Sequence, residues 1–152
     1  MAETPASVLR IYLIHDHPIV REGFARALSD EPDIVVVGQA GAAADALRET
    51  ASCKPDVVLV DLDVPDRDGI ELLGALRAQL PQATLLVLSG YGDESRVAEA
   101  LRAGAQGHLV KTSKLEDIID GVRRIATGGA PLSTSIAAAA VRAMRKRGGK
   151  PG

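Results

Sequence analysis

The sequence predicts an α/β fold, a doubly wound parallel sheet with helices on both faces. Three observations carry that prediction. Five runs of β-branched and aliphatic residues, beginning at Val8, Ile34, Val57, Thr84 and Gly107, alternate with stretches whose apolar residues recur at helical spacing. The third run, Val57 to Val60, has no polar alternation, as expected of a strand buried on both faces. Alternation of this kind builds βα units, and right-handed crossovers spread their helices over both faces of the sheet.

The elements follow in order. Val8 to Ile14 reads as the first strand, and Pro18 suits the first turn of a helix whose apolar side is Ile19, Phe24, Ala27 and Leu28. Ile34 to Val37 is the second strand, ending near Gly38, and a small-residue helix from Ala42 to about Ala51 takes Leu47 as its main anchor. After the third strand, Asp68 can cap a helix carrying Leu72, Leu73, Leu76 and Leu80, limited by Pro81. Thr84 to Leu88 is the fourth strand, Asp93 to Ala103 the fourth helix, stopped by Gly104, and Gly107 to Val110 a short fifth strand. Ser113 and Glu116 form a capping box for a fifth helix with Leu115, Ile118, Ile119, Val122 and Ile125 on one face. Gly128-Gly129 ends it. Beyond Pro131 a short helix with Ile136, Val141 and Met144 runs into Arg142, Arg145, Lys146, Arg147 and a glycine-rich tail. The expected organisation is one domain over 8–128, followed by a linker helix and basic flexible tail over 129–152.

Composition narrows the function. The 152 residues are 46% hydrophobic with a formal net charge of -2, which suits a soluble globular domain and argues against wholesale nucleic-acid binding. Phe24, Tyr12 and Tyr91 are the only aromatics, too few for a base-stacking platform. Cys53 alone gives no internal disulfide and fits a reducing cytoplasm. No stretch is long enough to span a bilayer, and MAETPASVLR has no signal-peptide pattern, so no membrane role is expected.

The five runs end at Asp16, at Gln39 or its neighbours, at Asp61, at Ser89 and at Lys111. An open parallel sheet binds its ligands just beyond the carboxyl ends of its strands. Two carboxylates, a hydroxyl and an ammonium gathered there suit a divalent cation and a phosphoryl group.

Four segments strengthen this reading: IYLIHDHPIVREGFARAL near the start, PDVVLVDLDVPDRDG from Pro55 to Gly69, LLVLSGYGDE at the fourth strand, and AGAQGHLVKTS before the fifth helix. Together, and in this order, they resemble the receiver domain of bacterial two-component response regulators over about Leu9 to Gly128. DHPIVREGF looks like the NarL/LuxR-type subfamily. The resemblance implies a flavodoxin-like (βα)5 fold with strand order 2-1-3-4-5. It also implies a phosphoryl group accepted on Asp61 from a sensor histidine kinase, with Mg²⁺ held by Asp16, Asp61 and the backbone carbonyl of Asp63. Ser89 and Lys111 would read the phosphate, Ser89 and residue 108 would form the switch, and the chain would form a homodimer controlling an output such as transcription. It implies no enzyme beyond self-catalysed phosphorylation and dephosphorylation. The subfamily's helix-turn-helix domain does not fit in these residues, so DNA is expected to be met only through an output domain absent from this chain.

The pattern is broken in places. Receivers place two adjacent acids at the end of the first strand, and here the pair is His15-Asp16. His15 removes one negative charge, and imidazole is a poor partner for Mg²⁺, so weaker Mg²⁺ binding is expected. A free histidine titrates near about pH 6.5, so Mg²⁺ affinity should fall as His15 protonates. His108 stands where receivers carry Tyr or Phe, Val64 replaces a methionine, and Tyr91 is placed to cover the pocket. The His15 and His108 departures motivate an alternative, a degenerate pseudo-receiver acting as a phosphorylation-independent interaction module. A flavodoxin-like cofactor binder would want a glycine-bearing phosphate loop after the first strand, which His15-Asp16-His17-Pro18 does not supply. A metal-dependent phosphatase would need a separate general acid.

Overall fold

The structure, a computed structural model, describes residues 8–89, 94–110 and 114–126. The chain runs β1 (Leu9–Ile14), α1 (Pro18–Ser29), β2 (Ile34–Ala40), α2 (Ala43–Cys53), β3 (Val57–Asp61), α3 (Gly69–Gln79), β4 (Thr84–Ser89), α4 (Glu94–Ala103), β5 (Gly107–Val110) and α5 (Leu115–Ala126). All pairings are parallel and the sheet order is β2-β1-β3-β4-β5. The predicted fold class and order are therefore those observed.

Strand alternation divides the core into two layers. Tyr12, Ile14, Val58, Val60, Leu85 and Val87 face α2, α3 and α4, packing on Ala43, Ala46, Leu72, Leu73, Leu76 and Ala100. Ile11, Leu13, Val57, Leu59, Leu86, Leu88 and Leu109 face α1 and α5, packing on Phe24, Leu28, Ile118, Ile119, Val122 and Ile125. β3 is central and buried along its whole length, so its end has the least solvent around it. β2 contains one extra residue, Val37, opposite the step from Ile11 to Tyr12. The Tyr12 ring lies across Gly38, where a Cβ would come within 2.7 Å of Cε2, and its hydroxyl donates to Glu49 at 2.6 Å. Burial first, and then the Glu49 carboxylate, push the Tyr12 phenol above its ordinary pKa.

Several expectations shift. Ile19 is 79% exposed. At 3.6 residues per turn it lies roughly 140° around the helix from Phe24, off the stripe that Phe24, Ala25 and Leu28 bury. Leu115 is also exposed, because it sits in the first turn of α5, ahead of the sheet contacts that begin at Ile118. In α2 the buried positions are Ala43, Ala46 and Thr50, with Leu47 only partly covered, since small side chains let the helix approach the sheet closely. α2 continues past Ala51, so that Cys53 is its last residue. β2 runs to Ala40 and passes through Gly38. Ser113 and all of 127–152 lie outside the described residues, and with them the capping box and the linker helix.

Two guanidinium groups tie the far edges together. Arg77 donates from Nη1 to the carbonyls of Leu80, Pro81 and Ala83, and from Nη2 to the Gly104 carbonyl and the Gln106 side chain. It thereby joins the α3–β4 and α4–β5 connections at the edge opposite the strand carboxyl ends. Arg123 of α5 pairs with Glu31 and Asp33 in the α1–β2 connection, and its guanidinium holds the Asp33 carboxyl below the usual range.

Candidate functional site

The register of the two innermost strands builds the site. Ile14 pairs with Val60, so the next residues, His15 and Asp61, come abreast at the carboxyl edge. Both are buried. His15 Nδ1 accepts a hydrogen bond from the His17 amide at 3.1 Å. A neutral His15 therefore carries its ring proton on Nε2, and Nε2 lies 3.3 Å from Asp61 Oδ2. The other Asp61 oxygen, Oδ1, accepts from the Asp63 amide at 3.0 Å. Asp16 is exposed, with Oδ1 at 4.0 Å from His15 Nδ1. One ligand atom from each of His15, Asp16 and Asp61 falls within 4.8 Å of the others.

That donor set fits a divalent cation. Two carboxylates converge from adjacent strands, one buried and one reaching solvent, which is the oxygen-rich, partly hydrated setting that Mg²⁺ favours. The imidazole is the part that does not suit Mg²⁺, because its Nδ1 is engaged by the His17 amide and its Nε2 presents a proton toward Asp61. Arg21 of α1 braces this turn, donating to the His15 carbonyl at 2.8 Å and to the Gln39 side chain at 3.0 Å.

The loop 62–68 after β3 is held on three sides by its own aspartates. Arg96 of α4 meets Asp63 Oδ1 at 3.0 Å, and its Nη2 reaches the Leu62 carbonyl at 3.4 Å. Asp68 caps α3 by accepting from the Ile70 amide at 2.7 Å. Asp66 accepts from the amides of Ala43 and Ala44 at 2.7 and 3.1 Å, capping α2 from outside, where Ala42 supplies no side-chain cap. Those two amides hold the Asp66 carboxyl below its ordinary pKa. A group with a depressed folded pKa contributes stability above its unfolded value, about 3.9, and loses it as pH falls through the folded value. Asp66→Asn is thus expected to melt below the parent at neutral pH, with the gap closing as pH drops below about 4. Thermal unfolding across that range checks it; an unchanged gap means the cap is not ionic.

The remaining sequence-predicted residues divide in two. Ser89 ends β4 one step beyond Leu88, the register partner of Asp61. It is buried and shares a hydrogen bond with Nε2 of the buried His108. Both residues lie on the α4 side of the sheet, because His108 pairs with Val87, two residues before Ser89. Lys111 and Tyr91 fall outside the described residues. Asp66, Arg21 and Arg96 join the site's surroundings without having been singled out in the sequence. Only Asp66 had a readable signal: α2 begins after an alanine, so its first amides needed an acceptor from elsewhere.

A family model described as the response regulator receiver domain matches residues 11–123. The chain belongs to the response regulator receiver family. Among the curated relatives of this receiver domain, the DNA-binding transcriptional activator DevR/DosR of Mycobacterium tuberculosis is 33% identical over 138 residues, which are 91% of this chain and 64% of that protein. The transcriptional regulatory protein LiaR of Bacillus subtilis is 34% identical over 141 residues, 93% of this chain and 67% of that protein. The receiver domain thus spans about two thirds of the length of these relatives. Among solved structures, a LuxR-family two-component response regulator from Aurantimonas sp. SI85-9A1 superposes with a TM-score of 0.82 at 31% identity, covering 91% of this chain and 99% of the other. The receiver domain of a putative response regulator NarL from Mycobacterium tuberculosis gives 0.74 at 36% identity, covering 80% and 98%. The NarL/LuxR-type resemblance read from the sequence agrees with these relatives.

Proposed function

We propose that this receiver domain accepts a phosphoryl group on Asp61 from a sensor histidine kinase and switches conformation through Ser89 and Lys111. The observation that carries the reading is the convergence of Asp16 and the buried Asp61 at the carboxyl end of the central strand. In the transfer, an Asp61 oxygen forms a bond to phosphorus while the bond from phosphorus to the donor's imidazole nitrogen breaks. The Asp63 amide on Oδ1 fixes the plane of the accepting carboxylate. Asp16, Asp61 and the Asp63 carbonyl would hold Mg²⁺, which supplies charge neutralisation between carboxylate and phosphoryl oxygens. Lys111 adds positive charge to those oxygens, and Ser89 donates a hydrogen bond to one of them. The gained negative charge is the switching event, displacing the segment after β4.

The wider role belongs to the same reading. The site works in the cytoplasm as a regulatory phospho-acceptor rather than an enzyme with a separate substrate. The output is transcription, through a DNA-binding domain outside these residues, and the chain pairs with a second copy of itself. Exposed Ile19 and Leu115 offer apolar surface on α1 and α5 for that pairing. Acetyl phosphate with Mg²⁺ is expected to add one phosphoryl mass to the intact protein, and Asp61→Ala to abolish the gain. A wild-type protein that takes up neither phosphoryl nor beryllofluoride would leave the pseudo-receiver as the better description.

A further inference from the structure

We infer that His108 is a positioning residue which aims the Ser89 hydroxyl at the phosphoryl group by donating to it from Nε2; this rests on the phospho-acceptor reading above. The Ser89 Oγ–His108 Nε2 hydrogen bond is buried, and both partners are almost wholly excluded from water. A hydroxyl has one proton to give and two lone pairs to receive with. The pair can therefore be wired in two directions: Ser89 gives its proton to a bare Nε2, or a protonated Nε2 gives to Ser89. Only the second leaves the hydroxyl proton for a phosphoryl oxygen.

When a phosphoryl group arrives, the pair has two courses. Breaking the bond would give up a hydrogen bond between two buried groups, which costs about 1–3 kcal/mol. A ring that carries its proton on Nε2 keeps the bond and leaves the hydroxyl proton facing outward. The chain His108 Nε2–H to Ser89 Oγ–H to phosphoryl oxygen then has each donor polarising the next. An aromatic hydrocarbon at position 108 can fill the space but cannot donate. Placement supports the assignment: His108 lies diagonally across from Ser89 on the same face of neighbouring parallel strands, so the contact is set by the register and not by a mobile loop. The switch pair of this chain is then joined by a hydrogen bond, and movement of Ser89 carries the β5 side chain with it.

The test uses beryllofluoride with Mg²⁺ on the whole chain, read by binding affinity and by imidazole ¹⁵N shifts. Three histidines make assignment direct. In wild type the His108 Nε2 signal is expected to be of the protonated, pyrrole type in the bound state. His108→Phe is expected to bind beryllofluoride about tenfold more weakly, the scale of one charge-assisted hydrogen bond. His108→Gln, which keeps an N–H donor, should recover part of the loss. In a Ser89→Ala background the His108 substitutions should have no further effect. A bare Nε2 in the bound state, equal affinities in all His108 variants, or full additivity with Ser89→Ala would each overturn the assignment. Should His108→Phe fail to fold, the ¹⁵N shift and His108→Gln decide the matter alone. Wild type binding beryllofluoride with unaffected His108 variants sinks this inference only; wild type failing to bind sinks the phospho-acceptor reading as well.

Discussion

Gly69→Ala is expected to destabilise the protein by about 3 kcal/mol and to displace the loop that carries the acceptor. Gly69 is the first residue of α3 and is buried. An added Cβ would stand 2.2 Å from the Leu62 carbonyl oxygen, 2.6 Å from its Cα and 2.7 Å from its carbonyl carbon. These are backbone atoms, so no side-chain rotation relieves the clash; either α3 or the Leu62 peptide must move. Leu62 follows Asp61 directly, and its neighbour Asp63 supplies the amide that holds Asp61 Oδ1. Loss of stability and loss of beryllofluoride binding should therefore appear together. Gly74→Ala in the same helix is the internal control. Nothing lies within 4 Å of its Cβ position, so it should stabilise by about 0.5–1 kcal/mol through helix propensity. Urea unfolding of both variants measures the contrast. Equal midpoints would mean that the close approach of α3 to the acceptor loop does not exist in solution.

The fold was legible because each level of the sequence agreed. Apolar runs without alternation marked a buried parallel sheet, and β3 is buried throughout. Helix ends were legible where a cap or glycine stood in the sequence: Asp68 caps α3 as expected, and Gly104 follows α4 with φ of 129°. Exposure of individual apolar residues was less legible. Ile19 and Leu115 look like core in a one-dimensional pattern, yet Ile19 falls off the buried stripe of α1 and Leu115 lies ahead of the sheet contacts of α5.

The candidate site was legible in its chemistry and not in its wiring. Strand ends point to Asp16, Asp61 and Ser89 because side chains there have nowhere to go but the shared edge. Which polar group touches which is a long-range matter. Arg96 reaches Asp63 across 33 positions, and Asp66 caps a helix 22 positions earlier; the uncapped start of α2 signals that an acceptor is needed, but no local pattern names which residue supplies it. The direct Ser89–His108 bond follows from register, which becomes readable only once the β4–β5 pairing is known.

His15→Asp is expected to raise Mg²⁺ affinity about tenfold or more while destabilising the metal-free protein by about 2 kcal/mol. The two halves have one cause. In the parent, Nε2–H faces Asp61 at 3.3 Å, and a neutral donor there costs the carboxylate nothing. Aspartate at 15 would place a second negative charge beside a buried one, and like charges in a poorly solvated site disfavour the ionised pair. A cation reverses the sign, because each added oxygen and charge strengthens its hold. Local geometry allows the exchange: Asp61 Oδ1 accepts from the amide two residues on, as His15 Nδ1 does, so aspartate at 15 can keep the His17 contact with one oxygen and offer the other to the ion. His15→Asn separates oxygen from charge and should fall between parent and His15→Asp. Calorimetric Mg²⁺ titration and the Mg²⁺-dependent rise in melting temperature read both halves, since ligand binding to the folded state stabilises it by mass action. Identical affinities in parent and His15→Asp would mean that residue 15 does not face the cation, and the arrangement of His15 against Asp61 would have to be abandoned.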